Sequence, residues 1–128
     1  LIMKIHHTAL TVLSLEKSVE FYQDVFGLKV EGTFTKEESG IKFVLMSDEN
    51  GGRIELFEFK DSTVLPESQN NFSTQGIKHI AFESEDVEAV WTKLKDKYEC
   101  TDVKNGVSAK YFFIKDPTNI PLEIYQKK

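Results

Sequence analysis

The chain carries one cysteine, Cys100, in 128 residues, so no disulfide can close within it and a reducing compartment is expected. No apolar run approaches the roughly 20 residues that a membrane span needs. Nor does a basic stretch lead into an apolar segment of the kind that directs secretion. These absences make the cytoplasm the expected location and exclude a membrane partner. Positive charge is also scarce: the net charge is −5, the pI is near 5.2, and the lysines are scattered, so no basic stripe offers itself to nucleic acid. No glycine-rich loop joins a strand to a helix, because Gly51-Gly52 falls in a hairpin; a phosphate cradle is thereby excluded. Cys100 has no histidine close in sequence, which argues against a thiol nucleophile.

What is present is a duplication. His7-Thr8-Ala9-Leu10 returns as His79-Ile80-Ala81-Phe82, and Ile54-Glu55-Leu56-Phe57 returns as Leu122-Glu123-Ile124-Tyr125. The apolar stripe Leu15, Val19, Tyr22 and Phe26, at helical spacing, recurs 72 positions on as Val87, Trp91, Leu94 and Tyr98. His7 and His79 obey the same offset, whereas Glu55 and Glu123 stand 68 apart. The second copy has thus lost four residues, most simply in its hairpins. Internal repeats of this kind decide the fold before any local argument does.

Each copy reads as a βαβββ module, one over residues 3–60 and one over 76–128, within a single domain by length. Alternation over 4–12 predicts a strand. Ser14 then supplies a helix N-cap with Glu16 in the first turn, and Gly27 suits the left-handed residue that ends the helix. Strands are expected at 28–34, 41–47 and 53–59, the last two joined by the turn cluster Asp48-Glu49-Asn50-Gly51-Gly52. Residues 61–75 are polar, contain Pro66 and lack periodicity, so they read as a linker. The second module repeats the order: a strand at 77–83, a helix at 86–98, and strands at 101–104, 107–115 and 121–126, with Asp116-Pro117-Thr118-Asn119 as the last turn. Phe21, Tyr22, Phe26 and Trp91 are expected between helix and sheet. The class is therefore α+β.

Strand parity places His7 on a face with Ile5 and Ala9, Glu55 with Phe57 and Phe59, His79 with Ile77 and Ala81, and Glu123 with Pro121 and Tyr125. A lone strand histidine is more often structural than a ligand, and a strand glutamate usually faces water. Chance gives no reason for two copies to agree, however. Two imidazoles and two carboxylates in pseudo-twofold arrangement suit one divalent metal ion, which would also relieve the cost of charge on an apolar face. His7, Glu55, His79 and Glu123 are the predicted ligands. His6, matched by Lys78 in the other copy, is read as structural or outward-facing.

These same segments resemble the vicinal oxygen chelate superfamily, and within it the small bacterial glyoxalase I (lactoylglutathione lyase) proteins. The resemblance is carried by Lys4-Ile5-His6-His7-Thr8-Ala9-Leu10, Phe21-Tyr22-Gln23-Asp24-Val25-Phe26-Gly27-Leu28, Arg53-Ile54-Glu55-Leu56, Ile77-Lys78-His79-Ile80-Ala81-Phe82 and Asp116-Pro117 through Glu123. It covers essentially the whole chain and implies the glyoxalase/bleomycin resistance/dioxygenase fold, an incurved mixed sheet built from two modules. It also implies a four-ligand site for nickel, zinc, cobalt or manganese. Ring-cleaving dioxygenase relatives lack a ligand at the Glu55 position; here that ligand is present.

The resemblance implies proton transfer between adjacent carbons of the hemithioacetal of a 2-oxoaldehyde such as methylglyoxal, through a metal-stabilised enediolate, with Glu123 as the base and Glu55 as its counterpart. Thr11 and Phe59 or Lys60 stand where glutathione-using relatives often carry arginine and asparagine, so the reaction is implied without its thiol. A small-molecule substrate and a homodimer are the implied partners. The alternatives are another enzyme of the superfamily, a ring-cleaving dioxygenase or thiol transferase, and a metal-free ligand-sequestering resistance protein.

Overall fold

The computed structural model describes residues 1–128, which divide into two compact units, Leu1–Thr63 and Val64–Lys128. The first unit runs β1 (Thr8–Thr11), α1 (Leu15–Phe26), β2 (Lys29–Lys36), β3 (Ile41–Ser47) and β4 (Arg53–Glu58); the second runs β5 (Ile80–Glu83), α2 (Val87–Leu94), β6 (Lys104–Asn105), β7 (Ala109–Lys115) and β8 (Pro121–Lys127). Each unit forms a four-stranded mixed sheet, ordered β1-β4-β3-β2 in one and β5-β8-β7-β6 in the other. β1 lies parallel to β4, and β5 parallel to β8, as a strand-helix-strand crossover requires.

The duplication extends to individual hydrogen bonds. Ser14 caps α1 by accepting from Lys17 N, and Asp86 caps α2 by accepting from Ala89 N. Glu58 Oε1 accepts from Leu15 N at 2.9 Å, while Gln126 Oε1 accepts from Val87 N at 2.8 Å. In both units the end of the last strand therefore satisfies an orphan donor in the helix's first turn. At the other end of α1, Gly27 adopts φ 69°, and the Gly27 and Leu28 amides return to the Gln23 and Tyr22 carbonyls. That left-handed residue is the reason for a glycine there.

One face of each sheet is packed on its helix. Val44, Met46, Ile54 and Leu56 are buried in the first unit, together with Phe21 and Tyr22 of α1; Phe112, Ile114, Leu122 and Ile124 are buried in the second with Val87 and Leu94 of α2. Each of these four β3–β4 residues is 68 positions from its counterpart, so the strands nearest the site are in one register throughout. Phe26 and Trp91 are only partly covered.

Several boundaries differ from expectation. β1 starts at Thr8 rather than at residue 4, and β5 at Ile80 rather than at 77. Both are edge strands whose pairing begins near the start of the parallel partner, Thr8 opposite Ile54 and Ile80 opposite Leu122. α2 stops at Leu94 instead of 98, where the Lys97 amide tightens onto the Leu94 carbonyl three residues back. The strand expected at 101–104 is reduced to Lys104–Asn105 because the Thr101 hydroxyl, not a backbone carbonyl, takes the Phe113 amide at 2.9 Å. The segment read as a linker contains a single 3-10 turn, Glu67–Asn70. The four-residue deficit lies only partly in a hairpin. Thr35 pairs with Lys42 and Asn105 with Lys110, which puts two of the lost residues between β6 and β7 and the other two between α2 and β6.

Candidate metal centre

The β3–β4 and β7–β8 turns set the position of the two glutamates. Asp48 Oδ1 accepts from the amides of Asn50 and Gly52 at 2.7 and 2.9 Å. Asp116 Oδ1 accepts from those of Thr118 and Ile120, both at 2.8 Å. Each aspartate closes its loop through the same two-and-four-residue pattern, and each stands seven residues before its glutamate. From these fixed turns β4 and β8 run back in register, so that Glu55 lies opposite Ala9 and Leu45, and Glu123 opposite Ala81 and Phe113.

The histidines immediately precede the edge strands, two residues before these alanines, and so share the glutamates' open face. His7 Nε2 is 3.5 Å from Glu55 Oε1, and His79 Nε2 is 3.5 Å from Glu123 Oε1. The side chains are partly covered, at 37 and 18% exposure in the first pair and 23 and 15% in the second. A separation of 3.5 Å exceeds an N–H···O hydrogen bond, so neither pair satisfies itself. It is close to the ~3.0–3.4 Å between two ligands that each stand ~2.1 Å from one ion, at angles between a right angle and tetrahedral. The donor chemistry fits a borderline divalent cation. Each unit brings together one imidazole and one carboxylate, and no group of three or more His, Cys, Asp or Glu gathers around a point.

The surroundings of the two pairs differ. His6 is exposed, and its Nδ1 lies 2.9 Å from His7 Nδ1, occupying the nitrogen that points away from Glu55. His79 is instead flanked edge-on by Phe113, at 5.0 Å between centroids, and Phe72, at 5.8 Å. Phe113 takes the place that Leu45 holds in the first unit. There the open face carries a row of stacked rings, Phe34, Phe43, Phe57 and Phe59, with successive centroids 5.1, 5.2 and 5.9 Å apart. Cys100 is half-buried, and its burial raises the thiol pKa above the usual value, in keeping with an unreactive side chain.

Sequence reasoning missed Phe72, placed in the linker, and the paired roles of Asp48 and Asp116. The repeat held a signal for the aspartates in the equal seven-residue spacing to Glu55 and Glu123. Phe72 left none, since its contact with His79 depends on how the loop folds back.

The model of the Glyoxalase/Bleomycin resistance protein/Dioxygenase superfamily matches residues 4–124. The chain is 33% identical to the uncharacterised protein YwkD of Bacillus subtilis (strain 168), with 99% of each covered. It is also 33% identical to the lactoylglutathione lyase of Neisseria meningitidis serogroup A, covering 98% of this chain and 92% of that one. In fold it is similar to the glyoxalase family protein from Enterococcus faecalis, with a TM-score of 0.82 at 22% identity, 95% of this chain and 96% of that one being covered.

Proposed function

The chain belongs to the Glyoxalase/Bleomycin resistance protein/Dioxygenase superfamily, and on that premise we propose that it is a divalent-metal-dependent lyase or isomerase of glyoxalase I type. The observation that carries this reading is the recurrence of one His–Glu geometry, 3.5 Å in both units, in a chain similar to a lactoylglutathione lyase. His7, Glu55, His79 and Glu123 are the residues that would hold the ion. When bound, such an ion supplies polarisation of two neighbouring substrate oxygens.

The protein's own part is proton management. The substrate is the hemithioacetal of a 2-oxoaldehyde, in which a carbonyl carbon adjoins a carbon bearing hydroxyl, hydrogen and sulfur. A carboxylate oxygen of Glu123 takes the proton from the second carbon and a proton is returned to the first, while the hydroxyl proton passes from one oxygen to the other; a hydroxy thioester results. Glu55, the counterpart in the repeat, holds the opposite side of the same substrate. Carboxylates suit this task because they exchange protons within hydrogen-bond reach of the reacting carbon. The phenyl groups beside Glu55 and the ring of Phe113 beside Glu123 keep water from competing for those oxygens.

The assembly proposed is a homodimer acting on small molecules in the cytoplasm. No helix is long and apolar enough to cross a membrane, and with Cys100 alone the chain forms no internal disulfide.

Metal analysis of purified protein, joined to a thioester-forming assay with methylglyoxal and a panel of thiols, tests the reading. One divalent ion per site with turnover supports it. Iron with catechol cleavage points to a dioxygenase instead, and tight ligand binding without any ion points to a sequestering protein.

A further inference from the structure

The chain holds five asparagines, Asn50, Asn70, Asn71, Asn105 and Asn119, and glycine follows only Asn50 and Asn105. Asparagine is chemically labile in water. The backbone nitrogen of the next residue attacks the side-chain amide carbon, and glycine, having no Cβ, hinders that approach least. The attacking nitrogen must first shed its proton to solvent, so an amide whose proton is held by a carbonyl is protected. The two Asn-Gly pairs differ in this respect.

Asn50-Gly51 lies at the tip of the β3–β4 turn, where every residue from Asp48 to Gly52 is exposed. The amides on either side are engaged: those of Asn50 and Gly52 both donate to Asp48 Oδ1, at 2.7 and 2.9 Å. The Gly51 amide and the Asn50 side chain have no partner. Asn105-Gly106, between β6 and β7, is held on all sides. The Gly106 amide donates to the Ala109 carbonyl at 2.8 Å, its carbonyl accepts from Lys128 Nζ, and the Tyr111 ring stands 2.9 Å from the position a Cβ would take. In the turn of the second unit that matches the β3–β4 turn, Asn119 precedes the branched Ile120, whose amide is bound to Asp116 Oδ1 at 2.8 Å.

We infer that Asn50 is a site of spontaneous modification, at which attack by the Gly51 nitrogen converts the asparagine to a mixture of aspartate and isoaspartate. The Gly51 nitrogen loses its proton to water and bonds to Asn50 Cγ, and the side-chain nitrogen leaves as ammonia. Water then opens the resulting five-membered imide. Cleavage between Cγ and the Gly51 nitrogen gives aspartate; cleavage between the Asn50 main-chain carbonyl carbon and that nitrogen gives isoaspartate. Either product places a third consecutive carboxylate beside Asp48 and Glu49. Isoaspartate also routes the main chain through Cβ and Cγ. The added methylene falls between Asp48 and Gly52, whose amides close the turn on the Gly52 carbonyl and Asp48 Oδ1, both at 2.9 Å. The turn that sets the register of Glu55 is thereby loosened, while the Asp116 turn keeps its form. No ion, substrate or turnover enters this inference, so it stands apart from the proposed function.

The test incubates the folded full chain in warm, mildly alkaline buffer and follows the two tryptic peptides that carry the Asn-Gly pairs, Phe43–Arg53 and Asn105–Lys110. Mass spectrometry scores conversion of amide to acid, and labelling by an isoaspartyl methyltransferase scores the isoaspartate. Asn50 is expected to convert about tenfold or more faster than Asn105, because the Gly106 amide must first break its hydrogen bond. In urea the two rates are expected to converge. Equal rates in the folded chain, faster loss at Asn105, or a ratio that urea leaves unchanged would overturn the inference. Amide hydrogen exchange checks the consequence for the turn. Exchange at Asp48 and Gly52 is expected to quicken by about tenfold in the isoaspartyl form and to stay near the original rate in Asn50→Asp, which carries the charge without the extra methylene. Exchange unchanged in the isoaspartyl form would refute the loosening.

Discussion

His79 Nε2 stands 3.5 Å from Glu123 Oε1, and the corresponding atoms of His7 and Glu55 stand at the same distance in the other unit. Two partly covered polar pairs, each too long to be a hydrogen bond, are what a duplicated fold presents when a third species belongs between the partners. Symmetric loss is therefore expected: His7→Ala and His79→Ala each remove the bound ion under dialysis and abolish turnover, measured by metal content and thioester formation. An ion retained at full stoichiometry in either variant contradicts the assignment.

Glu123→Gln keeps the shape of the carboxylate and removes its capacity to take a proton. Its kcat is expected to fall by about 10²–10⁴-fold, with KM for the adduct changed far less. A fall confined to KM would mean that Glu123 only binds.

Asp116 is 3% exposed and holds two amides, whereas Asp48 holds the equivalent two at an exposed turn. Water can replace the lost acceptor at Asp48 but not at Asp116. Asp116→Ala is thus expected to cost ~2–3 kcal/mol, against ~1 kcal/mol for Asp48→Ala, read from urea unfolding midpoints. Equal costs would show that the buried turn opens to solvent.

The Cys100 thiol, with its pKa raised by burial, is expected to react with iodoacetamide near pH 8 more slowly than a free thiol and to accelerate as pH climbs. Because the folded chain holds this proton more tightly than the unfolded one, the contribution to folding is fully present below the unfolded value and is lost as pH rises from there through the higher folded value. A rate equal to that of a small free thiol would place Cys100 at the surface.

Much of this was legible because repetition converts weak local signals into strong joint ones. One strand histidine means little, but His7 and His79 at one offset, with Glu55 and Glu123 at another, fixed the faces that the parallel pairings Ala9–Glu55 and Ala81–Glu123 display. The caps at Ser14 and Gly27 were equally plain, since each residue type has a specific backbone duty. The lost pieces are those where tertiary contacts outweigh propensity. A threonine hydroxyl displaces a carbonyl in the sheet and cuts β6 to two residues. The lysine-rich end of α2 unwinds, and a polar segment with no period folds back through Lys78 to set Phe72 against His79. Asp48 and Asp116 were legible as turn residues, but their equivalence was not, because their neighbours differ, Glu-Asn-Gly-Gly against Pro-Thr-Asn-Ile, while their bonding is the same.

The most direct measurement is anomalous diffraction from crystals grown with nickel or zinc. The account predicts a single peak per site, with nitrogen of His7 and His79 and oxygen of Glu55 and Glu123 all within about 2.0–2.2 Å of it, whether those side chains come from one chain or from two. Separate peaks, each held by one His–Glu pair alone, or none at these residues, would contradict it.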